Sequence, residues 1–210
     1  MKQIVTSATY RQSVNIVEDN YKKDPENVYL SHAPRLRVKA ELVKDIILAS
    51  SGLLVKTIGG PSVKPYQPKG LWEGATSGRG ELATYKQDKG ESLYRRGIYT
   101  FIKLTVPPPN MAIFDASNRD LCEVKRSVTT TPLQELMMMN DPTVLEASRV
   151  LSQKLLEEKS SMDEKITRAF HRIICRIPDK KETEILKNYF TDQLQKLKQK
   201  NMNAAANIKM

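Results

Sequence analysis

The chain has 210 residues, and its 34 lysines and arginines against 24 aspartates and glutamates leave a formal net charge of +10. That length suits one domain with a substantial core, while only two cysteines exclude a disulfide framework and the lack of any Cys-x-x-Cys-His run excludes c-type haem attachment. No apolar run approaches the roughly 20 residues of a membrane span, and Met1-Lys2-Gln3 opens directly onto a helical pattern rather than a signal peptide.

In chain order, Ile4 to Val14 reads as an opening helix, Asp24-Pro25-Glu26-Asn27 as a turn and Pro34 as the end of a linker. Leu36, Ala40, Val43 and Ile47 then recur at helical spacing and stop at Gly52, which predicts a core face. All nine glycines fall between Gly52 and Gly97, so both ends are free of the residue that most weakens helix interiors. The segment from Leu53 to Lys89 is long for a connection without regular structure, and it is expected to be functional or pinned over the helices by Tyr66, Leu71 and Trp72. Trp72 is expected to be buried.

Pro107, Pro108 and Pro109 fix three φ angles and remove three backbone donors, which predicts extended chain rather than helix. Thr131-Pro132-Leu133-Gln134 has the spacing of a capping box with proline at its first helical position, so a helix begins at Pro132. Asp141-Pro142 repeats the signal, and two helices meet at a corner near Asn140. Val144, Ala147, Ser148, Leu151 and Leu155 form one apolar stripe; Ile166, Ala169, Phe170, Ile173 and Ile174 form another, opened by Ser161-Met162-Asp163-Glu164. Pro178 breaks the chain before a last helix that starts at Asp179 and carries Leu186, Tyr189, Phe190, Leu194 and Leu197 for packing. The expected fold is therefore mainly α with little or no β: one helical domain over 1–200, with helices flanking an ordered Gly/Pro-rich loop at 53–130, and a disordered tail at 201–210.

Catalytic motifs are scarce. Gly74 to Gly80 lacks the lysine and spacing of a P-loop, and there is no Gly-x-Ser-x-Gly elbow. His32 and His171 share no metal-ligand spacing with Cys122 or Cys175, so neither a metal nor a cofactor is expected. The two cysteines are expected as reduced, buried thiols, with pairing across the fold as the alternative. The candidate ligand-binding set is Tyr94, Arg95, Arg96, Asp115, Arg119, Arg126, Gln134, Asn140 and Asp141, polar groups on loops and helix ends where they can converge without breaking a core. Arginine beside aspartate forms bidentate pairs, so one reading is a salt-bridge network that fixes the loop to the helices. In the other, some arginines hold a carboxylate or sulfate near the helix opened at Pro132.

The order Tyr94-Arg95-Arg96, Tyr99-Thr100-Phe101, Pro107-Pro108-Pro109, Phe114-Asp115-Ala116, Arg119, Cys122, Arg126, Thr129, Thr131-Pro132-Leu133-Gln134 and Asn140-Asp141-Pro142 resembles the planctomycete PSD-one domain, the domain of unknown function numbered fifteen fifty-three. The likeness extends upstream through Ser7 to Ser13, Asp24 to Asn27 and Gly59 to Pro68, and covers roughly residues 3 to 190. Four positions depart from the family pattern: Ile102 stands for its tryptophan, Val128 for an arginine, Thr130 for an asparagine and Lys125 beside Arg126 for a second arginine. The loss of arginine at Val128 weakens an anion site in this segment.

The resemblance implies the C-terminal part of a large exported bacterial protein, periplasmic, envelope-bound or secreted, with a companion domain upstream and often a cytochrome c segment. It implies no established activity. Two classes of function follow: a helical interaction or scaffold domain that packs on its companion, or part of a substrate-binding or catalytic unit acting on an extracellular, possibly sulfated, polysaccharide. Nucleic-acid binding through the basic surface ranks third, because the basic residues are spread along the chain and cluster only toward its end. Unpaired Arg96, Arg119 or Arg126 in a concave pocket would favour the second class; complete pairing would favour the first.

Overall fold

The computed structural model describes residues 1–199 apart from 77, 78, 81, 118, 120, 121 and 123, and the expected tail at 201–210 lies outside them. Nine α-helices and two 3-10 turns are present among the described residues, with no β-strand beyond isolated bridges, so the mainly α expectation holds. The chain forms two compact units, Met1–Val38 and the remainder from Lys39 onward.

The first unit carries α1 (Lys2–Thr6) and α2 (Glu18–Lys23). The opening helix is shorter than the expected Ile4 to Val14, because hydroxyls take over its backbone groups: Thr6 Oγ1 donates to the Lys2 carbonyl at 2.8 Å and Ser7 Oγ to that of Ile4 at 2.8 Å. Ser7 then turns to extended backbone. The unanticipated α2 places Glu18 and Asp19 in its first turn and Lys22 and Lys23 in its last, which complements the helix dipole. The turn expected at Asp24 is present: the Asp24 carboxylate is buried and accepts from the amides of Val28 and Tyr29, each at 2.8 Å.

The second unit is organised around α3 (Ala40–Ser51), which packs against α5 (Pro109–Ala112), α7 (Pro142–Glu157), α8 (Met162–Ile174) and the 3-10 turn Gly97–Tyr99. Of the expected stripe, Ala40 is buried and Val43 and Ile47 are half-buried, whereas Leu36 is 81% exposed in extended chain before the helix. Leu48 takes the central place instead and is fully buried. Gly97 packs against the α3 backbone so closely that a Cβ would lie 2.9 Å from Glu41 Cα, so only glycine fits there.

The long loop is ordered by bonds to the segment that follows it. Val55 donates its amide to the Tyr94 carbonyl at 3.0 Å, and Val63 exchanges backbone bonds with Tyr99 and Phe101, each at 2.8 Å. Within the loop, α4 (Leu71–Thr76) supplies Trp72, which is fully buried as expected, edge-on to Tyr85 at 4.9 Å and beside Phe101 at 5.8 Å.

The triple proline departs from expectation at its last member. Pro108 is fully buried, and Pro109 occupies the first position of α5, where proline's preset φ and missing donor cost nothing. The next two starts are as expected: α6 (Pro132–Asn140) has the Thr131–Gln134 capping box, and α7 begins at Pro142 with the Asp141 carboxylate accepting from Thr143 N at 2.8 Å and Val144 N at 3.4 Å. Ala147, Leu151 and Leu155 are buried along α7.

The helix α8 begins with the Ser161–Glu164 box, and α9 (Lys180–Gln199) opens with a reciprocal pair between Asp179 and Glu182 at 2.9 and 2.7 Å. Their apolar stripes exist, yet no described residue of either helix is buried. Both cysteines are free, as expected, but exposed rather than buried, Cys175 at φ 59° where α8 ends.

Candidate functional site

One cleft of about 350 Å³ gathers Arg96, Arg119 and Arg126 with Lys39 against Glu41, Asp45, Leu42 and Ile98. Among the described lining residues four cationic side chains face two carboxylates, a formal surplus of two positive charges. Arg96 Nε donates to Asp45 Oδ2 at 3.0 Å, and Asp45 Oδ1 also accepts from the Gly97 amide at 2.6 Å. Arg126 Nη1 donates to Glu41 Oε2 at 2.9 Å. Burial pushes the Glu41 carboxyl up, but the Arg126 hydrogen bond, a backbone donor and the charges of Arg126 and Arg119 outweigh it and hold the group below its ordinary value. Arg119 makes no ion pair within 4.0 Å among the described residues, and its backbone is left-handed at φ 65°.

Both carboxylates come from α3, four residues apart and hence on one helical face. This i, i+4 acidic pair beside the apolar stripe is the sequence signal that would have added Glu41 and Asp45 to the set. Their partners lie 85 and 51 residues away in sequence, so no local pattern joins them.

The other candidate residues lie elsewhere. Arg95 is buried and donates to the carbonyls of Pro61 (2.9 Å), Thr57 (3.4 Å) and Gly59, while its guanidinium stacks 4.0 Å from the Tyr99 ring centre. It thereby ties the long loop to the 3-10 turn. Tyr94 donates its hydroxyl to Glu146 Oε1 at 2.7 Å, and that bond raises the phenol's pKa. Asp115 accepts from the Thr129 amide and hydroxyl at 2.8 Å, and buried Gln134 donates to the carbonyl of Ile113 at 2.8 Å. Asn140 and Asp141 line a separate apolar groove of about 310 Å³ with Tyr66, Ile113, Leu133 and Leu136. No grouping of three or more His, Cys, Asp or Glu side chains able to hold a metal occurs among the described residues.

Residues 1–190 match the PSD1 family, described as a protein of unknown function (DUF1553). The chain belongs to that family. No curated protein and no solved structure matches it. PSD1 domains typically stand at the C-terminus of larger exported bacterial proteins, an association that supports an extracytoplasmic location and a companion-domain context. No helix among the described residues is long and apolar enough to cross a membrane.

Proposed function

We propose that this PSD1 domain is a helical interaction module that packs on the upstream companion domain of a larger protein in the periplasm, the envelope or the medium. The observation that carries the reading is the α8–α9 hairpin. It presents Ile173, Ile174, Ile177, Ile185, Leu186, Tyr189 and Phe190 to solvent, with Ile177 72% and Tyr189 64% exposed. Exposed apolar side chains gathered on two neighbouring helices, with charged pairs among them, mark an interaction site rather than ordinary surface scatter. The rim includes Arg176, paired with Glu182 at 2.6 Å, and Lys187, paired with Asp163 at 2.8 Å. The test is co-elution of this domain with its separately expressed companion. Ile177→Glu with Tyr189→Glu abolishes the complex while the circular dichroism spectrum is kept; retained co-elution would overturn the proposal.

A second reading rests on the cationic cleft. Its charge surplus, and Arg119 without an ion pair among the described residues, suit a carboxylate or sulfate on an extracellular polysaccharide. In a thermal-shift titration with sulfated and carboxylated oligosaccharides, the wild-type shift disappears in a folded Arg119→Ala variant if the cleft is the site. A shift of equal size in that variant sinks this reading. Nucleic-acid binding has less support, because the α9 lysines are interspersed with Glu182, Glu184 and Asp192, and Lys187 and Lys196 are held by carboxylates.

A further inference from the structure

Lys44 stands apart from both surfaces. It lines a partly open chamber of about 30 Å³ beside α3, walled mainly by Val43, Ile47, Met111, Phe114 and Val144. Among the described residues its polar contact is a long one, Nζ to Thr100 Oγ1 at 3.4 Å, and no carboxylate lies within 4.0 Å of the amine. An ammonium ion has three donors and a large desolvation cost, so an apolar wall and one weak partner favour the neutral amine. The chamber backs onto the apolar groove, because Asn110, Met137 and Asp141 line both. Met137, a flexible side chain, forms part of the shared wall.

We propose that the groove and chamber together form a binding site for a small apolar aldehyde or ketone, whose carbonyl carbon is attacked by Lys44. The amine nitrogen bonds to the carbonyl carbon to give a carbinolamine. Its proton passes to the former carbonyl oxygen, which departs as water with a second proton, leaving a C=N bond to Lys44; no oxidant or reductant takes part. The groove, about ten times the volume of the chamber, takes the apolar body, and the chamber takes the reacting carbon.

The electrostatic surroundings agree with this chemistry. Burial lowers the Lys44 pKa to about 8, against the smaller opposing fields of Asp45 on its own helix and Asp141 at the start of α7. Among the described residues Asp141 is the one other titratable group that lines the chamber; the walls from α5, α6 and the Thr100 segment carry none. The same carboxylate disfavours an anionic ligand, which restricts the site to neutral carbonyl compounds.

The test is reductive trapping at pH 7 with cyanoborohydride, using benzaldehyde as the apolar probe and glyoxylate as the anionic one, followed by peptide mass mapping. Lys44 should be benzylated on the order of a hundredfold faster than exposed lysines, since the neutral fraction falls about tenfold per pH unit below the pKa and its pKa is about 8 against the ordinary 10.5. Glyoxylate should show no such preference, and Leu136→Arg, placed in the groove wall, should slow labelling of Lys44 alone. Lys44→Arg should lose that label with the rest of the map unchanged. If Lys44 reacts no faster than surface lysines, or reacts equally with both aldehydes, the proposal is wrong; labelling unchanged by Leu136→Arg would equally exclude the groove.

Discussion

At the scale of single residues, the chain sets an amine where water solvates it poorly. Lys44 therefore carries a pH signature whether or not a ligand occupies the groove. Its pKa of about 8 in the folded chain lies below the 10.5 of the free side chain, so the unfolded chain binds more protons between those values. Stability rises with pH across that window, and below pH 8 the cost of burying the ammonium is present in full. Lys44→Met removes a cost on the order of 3 kcal/mol at pH 7 and flattens the rise, as read by urea midpoints at several pH values. An unchanged pH slope in the variant would show that the amine is solvated after all. The contrast with Arg95 is instructive: it too is buried, yet three carbonyls and an aromatic ring receive its charge.

At the scale of elements, helix starts were legible wherever the signal was local. Thr131 with Gln134, Asp141 before Pro142, Ser161 with Glu164 and Asp179 with Glu182 each mark a start that the structure shows, because a cap is complete within four residues. The failures have non-local or competing causes. Pro109 enters α5 because Pro108 is locked in the core, and the opening helix ends early because the hydroxyls of Thr6 and Ser7 compete for its carbonyls. The arginine-rich block was legible as polar and loop-borne, but the α3 carboxylates that complete its cleft were not. Among the caps, Asp141 carries the most, since it opens α7 and lines both chamber and groove. Asp141→Ala costs about 1–2 kcal/mol by loss of the cap, whereas Asp141→Asn retains most of it. Equal losses in the two variants, measured by thermal or urea unfolding, would point instead to the carboxylate's charge.

At the scale of the whole molecule, burial is unevenly distributed. The buried apolar side chains, including Leu48, Trp72, Met111, Leu151 and Leu155, all fall between Ala40 and Leu155, and α8 and α9 add none among the described residues. Helices without a buried face draw little stability from packing, and their caps and ion pairs contribute only modestly at the surface. The hairpin joins the rest through contacts of α8 with α3 and α7, and α9 packs on α8. Leu151→Ala should cost about 2–5 kcal/mol, as for other leucines truncated in a core. Tyr189→Ser should stay within about 0.5 kcal/mol, as at other exposed positions. Hydrogen exchange gives the same contrast without mutation: amides of α3 and α7 should open near the global unfolding free energy, and those of α9 well below it. Binding of the companion domain should raise protection in α8 and α9 most, because that is where apolar surface remains to be covered. Protection in α9 equal to that in α3 before any partner is added would mean that the hairpin is already complete, and the interaction proposal would lose its physical basis.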